Sequence, residues 1–344
     1  MKKKTVFSLI IAAAFSAAAF SACAAEGDLS SGSADSTGGT VSAQIYMPDG
    51  APALALARYM AEGEDGAEYH VVDSSTIQTY VTGNSPAADL CILPLNLASK
   101  LLGTGETYQM LGTVTHGNIY MLSTDATVQY TTDNLSALVG KTVGVMQLSN
   151  VPGLTLKVVL NQNDIPWQEL TGDNQTAADK VNLRAVTLNQ VIPATGYDCY
   201  VMPEPAASVQ VNNPNMNFEF VGDLQELYGG EKGYPQAVLV AKNTFIEENT
   251  EWIADFLSGL DGAAEWLFDA DAATIVDAVS AHLTEGLTPQ LNTANLSQTA
   301  IEHSGVWFTS AAEGKEEVNA FLDKLIAVSE TKASKVSDAF YYQP

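Results

Sequence analysis

The stretch Val41-Ser42-Ala43-Gln44-Ile45-Tyr46-Met47-Pro48-Asp49-Gly50-Ala51-Pro52 alternates polar and apolar residues as far as Met47 and then runs into turn-forming residues. Alternation with period two predicts a strand over residues 41–47, and residues 53–60, closed by Gly63, read as the helix that follows it. Residues 141–148 predict a second such strand, which stops at Ser149-Asn150-Val151-Pro152 before residues 153–160 again read helical. Both junctions put proline in the first helical turn, where its fixed φ suits the helix and its missing N–H would have had no partner. Asp49, Gly50, Ser149 and Asn150 are turn and capping residue types.

A second matched pair has the same logic. Asp89-Leu90-Cys91-Ile92-Leu93-Pro94 and Asp198-Cys199-Tyr200-Val201-Met202-Pro203 are each an acid, four mostly apolar strand residues and a proline, and a helical segment follows each. The repeated order predicts two α/β lobes with similar wiring, and the chain from Val41 to Pro344 is longer than one hydrophobic core usually holds. In α/β lobes, ligands bind beyond the carboxyl ends of the strands, where helix N-termini present unpaired N–H groups. The expected cleft lining is therefore Asp49, Gly50, Ala51 and Asn96 from one lobe, with Gln147, Ser149, Asn150 and Glu204 from the other. Any one of these reads equally well as a cap or turn residue, so the set carries the expectation.

At the start of the chain, Lys2, Lys3 and Lys4 precede an apolar run from Val6 to Phe20. That run is short for a membrane span and suits the core of an export signal. Ser21-Ala22-Cys23 resembles the lipobox of bacterial lipoproteins, which implies acylation of Cys23 as the first residue of the mature chain; Phe20 departs from the usual leucine. Cleavage nearby by a general signal peptidase is the other reading, and both send the mature chain out of the cytoplasm. Residues 1–23 are thus a lipoprotein signal with its lipobox. Residues 24–40, rich in Gly, Ser, Ala, Thr and acid, read as a flexible tether. No later segment has the run of about 18 apolar residues that a spanning helix needs, so lipid is the expected membrane anchor.

The chain of 344 residues carries 15 basic and 40 acidic residues, a formal net charge of -25. A surface of that sign repels phosphate backbones, so no nucleic-acid partner is expected. Cys91 and Cys199 sit in apolar runs and read as buried free thiols in different lobes. His70, His116, His282 and His303 are dispersed, no Gly-x-Ser-x-Gly elbow occurs, and no His-rich loop or ligand cluster suggests a metal. No catalytic residue, metal or cofactor is therefore expected, and the protein does not read as an enzyme.

The segments Asp49-Gly50-Ala51-Pro52-Ala53-Leu54-Ala55, Pro94-Leu95-Asn96-Leu97-Ala98, Gly140-Lys141-Thr142-Val143-Gly144-Val145 and Pro203-Glu204-Pro205-Ala206-Ala207 resemble solute-binding proteins of bacterial ABC importers. The branch is the one that includes sulfonate, taurine, nitrate and thiamine-precursor binders. The resemblance implies a type II periplasmic-binding fold, with two α/β lobes joined by two crossing strands around a ligand cleft. It puts the crossing at Thr115-His116-Gly117-Asn118-Ile119-Tyr120, bringing His116 and Asn118 to the cleft, with the first crossing strand near 119–123 and the return near 237–241. Lobe 1 is then 41–123 plus 237–344, and lobe 2 is 124–236. Late helices near 251–268, 273–282 and 317–328 are expected to pack on lobe 1.

What the resemblance implies for function is an extracytoplasmic, lipid-anchored monomer that closes on a small solute and hands it to a permease driven by a separate ATPase. Asp49 and Glu204 favour a heterocycle or amine-bearing solute; a sulfonate or nitrate held by helix N-termini and hydroxyls is the other possibility. Tyr46, Tyr120, Tyr200, Tyr234 and Trp307 are candidates for a stacking wall. Alternatives are a ligand-sensing lipoprotein feeding a receptor and, lower, a thiamine-pyrimidine synthase-like or other secreted enzyme, the former lacking the cysteine cluster it would carry.

Overall fold

Local sequence rules set the strands, and the strands fall into two sheets. The computed structural model describes residues 41–63, 66–172, 175–193, 196–230 and 233–344; the signal, Cys23 and the tether expected before residue 41 lie outside them. In chain order the strands are β1 (Ala43–Pro48), β2 (Ala67–Val72), β3 (Leu90–Pro94), β4 (Tyr108–His116), β5 (Ile119–Ser123), β6 (Thr142–Met146), β7 (Trp167–Glu169), β8 (Val181–Val186), β9 (Cys199–Pro203), β10 (Glu219–Asp223), β11 (Pro235–Lys242) and β12 (Val306–Ser310). One sheet has the order β12-β4-β11-β3-β1-β2 and the other β10-β5-β9-β6-β8-β7. In each, a parallel set (β2, β1, β3 and β7, β8, β6, β9) continues into antiparallel strands. This is the two-lobe α/β fold of type II periplasmic binding proteins.

The matched sequence pairs occupy equivalent places. β1 lies parallel to β3, and β6 parallel to β9. The acid before the later member of each pair explains itself: Asp89 Oδ2 accepts the Gln44 N–H at 3.1 Å, and Asp198 Oδ2 accepts the Thr142 N–H at 2.8 Å. Each carboxylate also meets a lysine, Asp89 with Lys242 at 3.1 Å and Asp198 with Lys141 at 3.1 Å. The two acids thus bind an N–H at the start of the neighbouring strand, supplying a charged acceptor there.

Alternation along β3 and β9 divides their side chains between cores, as period two requires. Cys91 and Leu93, with Cys199 and Val201, point into a core that runs from one sheet to the other. The helix Ala311–Val328 contributes Val318, Phe321 and Leu325 to it, and the helix Val151–Gln162 contributes Leu154 and Val158. Leu90 and Ile92 face a second core with Ile253, Phe256 and Leu260, and Tyr200 and Met202 a third. Both cysteines are free and buried, and burial pushes both thiols well up. The helix expected over 251–268 is two helices, Thr250–Leu260 and Ala263–Asp269, parted at Gly262, where a Cβ would come within 3.0 Å of Arg58 Nη1.

The chain passes from the first sheet to the second between His116 and Ile119, and returns between Asp223 and Pro235 by way of the helix Leu224–Tyr228. Ile119–Ser123 pairs with β9 and β10 and so belongs to the second sheet; 237–241 pairs with β3 and β4 in the first. One side chain ties the two passages together. Gln225 Oε1 accepts the Ile119 N–H at 2.9 Å and the Tyr234 hydroxyl at 3.1 Å, while Gln225 Nε2 donates to Ile119 O at 3.2 Å. Gly117 leaves the room this takes, since a Cβ there would meet Gln225 Cγ at 2.5 Å.

Candidate functional site

A cavity of about 450 Å³ lies at the carboxyl ends of β1, β2 and β3 in one sheet and β6, β8 and β9 in the other. That volume suits a small solute. Asp49, Gly50, Ala51, Asn118, Gln147 and Glu204 line it.

The first wall follows from the β1 junction. Gly50 has φ 102° and ψ −144°, a conformation that a side chain would resist, and its carbonyl accepts the N–H groups of Ala53 and Leu54 to start the helix Ala51–Leu54. The Asp49 carboxylate is 6 % exposed; Oδ1 accepts the Gly50 N–H and Oδ2 the Gln290 N–H, both at 2.7 Å. Burial raises its pKa, and those two N–H bonds pull it partly back. Asp49 therefore holds the 286–290 segment, whose Leu287, Thr288 and Gln290 join the wall.

The opposite wall comes from the β6 and β9 junctions. Gln147 takes φ 55°, and its carbonyl accepts the Asn150 N–H at 2.9 Å, turning the chain into the helix Val151–Gln162, whose Val151 and Pro152 face the cavity. Glu204 is buried: Oε2 accepts the Ser208 N–H at 2.9 Å and Oε1 the Ser208 hydroxyl at 2.8 Å. His303, from the helix Gln298–His303 that leads into β12, places Nδ1 at 3.7 Å from Glu204 Oε1 and stacks on Tyr120 at 4.6 Å between ring centroids. The Glu204 carboxylate beside it raises the His303 pKa against the lowering effect of burial. The walls approach closely at one point, where a Cβ on Gly50 would lie 3.6 Å from Pro205 Cδ.

At the passage between sheets, amides form a relay. Asn118 Nδ2 donates to Ser304 O at 3.3 Å, and Gln236 Nε2 donates to Asn118 Oδ1 at 2.6 Å. Asn118 also accepts the Glu204 N–H on its backbone carbonyl at 2.9 Å.

The other expected site residues lie outside this lining. Asn96 is buried in the helix Leu95–Leu102, and its Nδ2 donates to Lys332 O at 3.2 Å, away from the cavity. His116 stacks on Trp307 at 4.0 Å and lies 3.4 Å from Thr309 Oγ1. Ser149 is exposed, and Asn150 occupies the N-cap of its helix. The expected stacking wall is also elsewhere: Tyr46 is sandwiched by His70 and Tyr80, Tyr234 packs on Phe321 and Tyr200 on Phe218. Tyr46 and Tyr200 sit on sheet faces and Tyr234 in the connection before β11, whereas the cavity is bounded by strand ends. Asp73, Leu188, Gln236 and Gln290 line the cavity and were not anticipated. Gln236 follows a proline at the start of a strand, and nothing local marks it.

Comparison with known proteins locates this fold. No family model and no curated protein sequence matches the chain. Among solved structures, an ABC transporter protein from Parabacteroides distasonis is similar at a TM-score of 0.67 and 17 % identity, covering 89 % of this chain and 99 % of that one. The periplasmic aliphatic sulphonate binding protein SsuA of Escherichia coli is similar at 0.59 and 13 % identity, covering 88 % and 92 %. The periplasmic nitrate-binding protein NrtA of Synechocystis PCC 6803 is similar at 0.56 and 12 % identity, covering 87 % and 86 %. At these identities the likeness is one of fold. Among the described residues, no helix is long and apolar enough to cross a membrane.

Proposed function

We propose that this protein is an extracytoplasmic solute-binding lipoprotein, anchored through Cys23, that captures a small organic solute by lobe closure and delivers it to an ABC importer. The observation that carries the reading is the cavity of about 450 Å³ walled by strand ends of both sheets. A solute touching both walls stabilises the closed form through contacts that an open form cannot make, and closure is what a permease reads. The permease and its ATPase are separate chains, and the protein itself leaves the solute unchanged.

The test is a thermal-shift screen of the purified mature protein with small-angle scattering on any hit. A cognate solute at about 100 times its Kd stabilises the native state by about 2.7 kcal/mol and reduces the radius of gyration. A hit that is chemically converted, or that binds with no change in scattering, would overturn the reading. Anchoring is tested separately by palmitate incorporation, which the Cys23→Ala variant abolishes.

A further inference from the structure

We infer that the solute is a small organic cation bearing N–H donors, a primary ammonium or a guanidinium, seated where the Asp49 and Glu204 walls meet. This rests on the solute-binding reading above and narrows it to one class.

The first argument is charge. Among the described lining residues are three carboxylates, Asp49, Asp73 and Glu204, and no lysine, arginine or histidine. His303, whose Nδ1 lies 3.7 Å from Glu204 Oε1, stands outside the lining; Lys157 binds Glu169 at 2.6 Å and Arg58 binds Glu62 at 2.9 Å. Against the acids stands the N-terminus of the helix Val151–Gln162, worth about half a positive charge. In a poorly solvated cavity opposite charges attract, and like charges repel, more strongly than in water. An anion is therefore the wrong guest for this wall.

The second argument is that acidic residues line the cavity from both sheets. Gly50 and Pro205, each next to one of the acids, mark the point where the walls nearly touch. Each carboxylate oxygen of Asp49 takes one backbone N–H and keeps further acceptor capacity. A cation placed there gains from both lobes at once.

The third argument comes from the amide relay, which fixes its own orientation. The Ser304 carbonyl can only accept, so Asn118 presents Nδ2 to it and Oδ1 to Gln236, and Gln236 must donate through Nε2. That leaves Gln236 Oε1 as an acceptor; it is buried and has no hydrogen-bond partner among the described residues. A buried acceptor without a donor is destabilising, and an N–H group on a solute in the cavity that Gln236 lines would satisfy it. No aromatic ring lines the cavity among the described residues. A quaternary ammonium, which is held by ring faces, finds no cage here, whereas an N–H cation finds acceptors.

The experiment compares the wild-type protein with ethanolamine, putrescine, cadaverine and agmatine, with choline, and with ethanesulfonate and nitrate, by thermal shift and titration calorimetry. At least one N–H cation is expected to raise Tm, with choline and both anions giving none. Gln236→Met, whose unliganded Tm is measured first, weakens that binding by on the order of tenfold. The comparison across solutes needs no variant, so it stands even if Gln236→Met folds poorly. Binding of ethanesulfonate or nitrate, or choline binding as well as the amines, overturns the inference and leaves the solute-binding reading intact. A screen in which these and wider sets of solutes all fail overturns both.

Discussion

His303 and Glu204 face each other across the two sheets, with Nδ1 at 3.7 Å from Oε1 and the imidazole laid on Tyr120. Asp223 and Glu302 add negative potential around the same ring, and Phe220 meets it edge-on at 5.6 Å. The folded-state pKa of His303 is raised above its ordinary value of 6.5. Its contribution to stability is therefore fully present below the unfolded value and is lost as pH rises through the folded one. The Tm of the wild type is expected to fall as pH rises from the unfolded value of 6.5 through the raised folded one, and His303→Gln to flatten that slope. A wild-type profile with no slope in this window would remove the pairing.

Asp89 and Asp198 repeat one interaction in two sheets, so their removal gives graded outcomes. Asp89→Ala and Asp198→Ala each leave a strand-end N–H without its charged acceptor, a loss of about 1–3 kcal/mol. The Asp89 cost should be the larger, because its lysine pair is more sheltered, with side chains 24 % and 21 % exposed against 48 % and 38 % for the other. Urea unfolding of the two variants tests the order; equal midpoints would show that the ion pairs add nothing.

Gly50→Ala asks an alanine to hold φ 102° and ψ −144° and puts a methyl group 3.6 Å from Pro205. The backbone alone should cost on the order of 1–3 kcal/mol. Thermal unfolding measures that loss, and solute titration measures whether the wall has moved.

Asp49→Ala frees the 286–290 segment, which is tied to β1 chiefly through the Gln290 N–H bond at 2.7 Å. Hydrogen exchange at the Gln290 amide should quicken markedly while that of the β1 ladder stays protected. Unchanged exchange at Gln290 would mean that other contacts hold the segment.

The junctions were legible because they obey local rules. Proline at a helix start, a glycine turn and a period-two strand are properties of a few adjacent residues, and they put Asp49, Gly50, Gln147 and Glu204 just beyond strand ends, where the cavity lies. Asn96 was misplaced because its position at a strand-to-helix junction says nothing about which way a helical side chain turns, and here Lys332 draws it off. Gln290 and His303 reach the site through pairing with residues far away in sequence, which no periodicity records. The tyrosines misled for a related reason: alternation says that Tyr46 and Tyr200 lie on sheet faces, and a cavity at strand ends does not see those faces.

Gln225 holds Ile119 on one passage and Tyr234 on the other, so the two strands of chain that join the lobes are laced into one joint. Neither can twist alone without breaking those bonds. In the proposed closure of the lobes, these bonds make the two passages swing together, as the paired leaves of one hinge do.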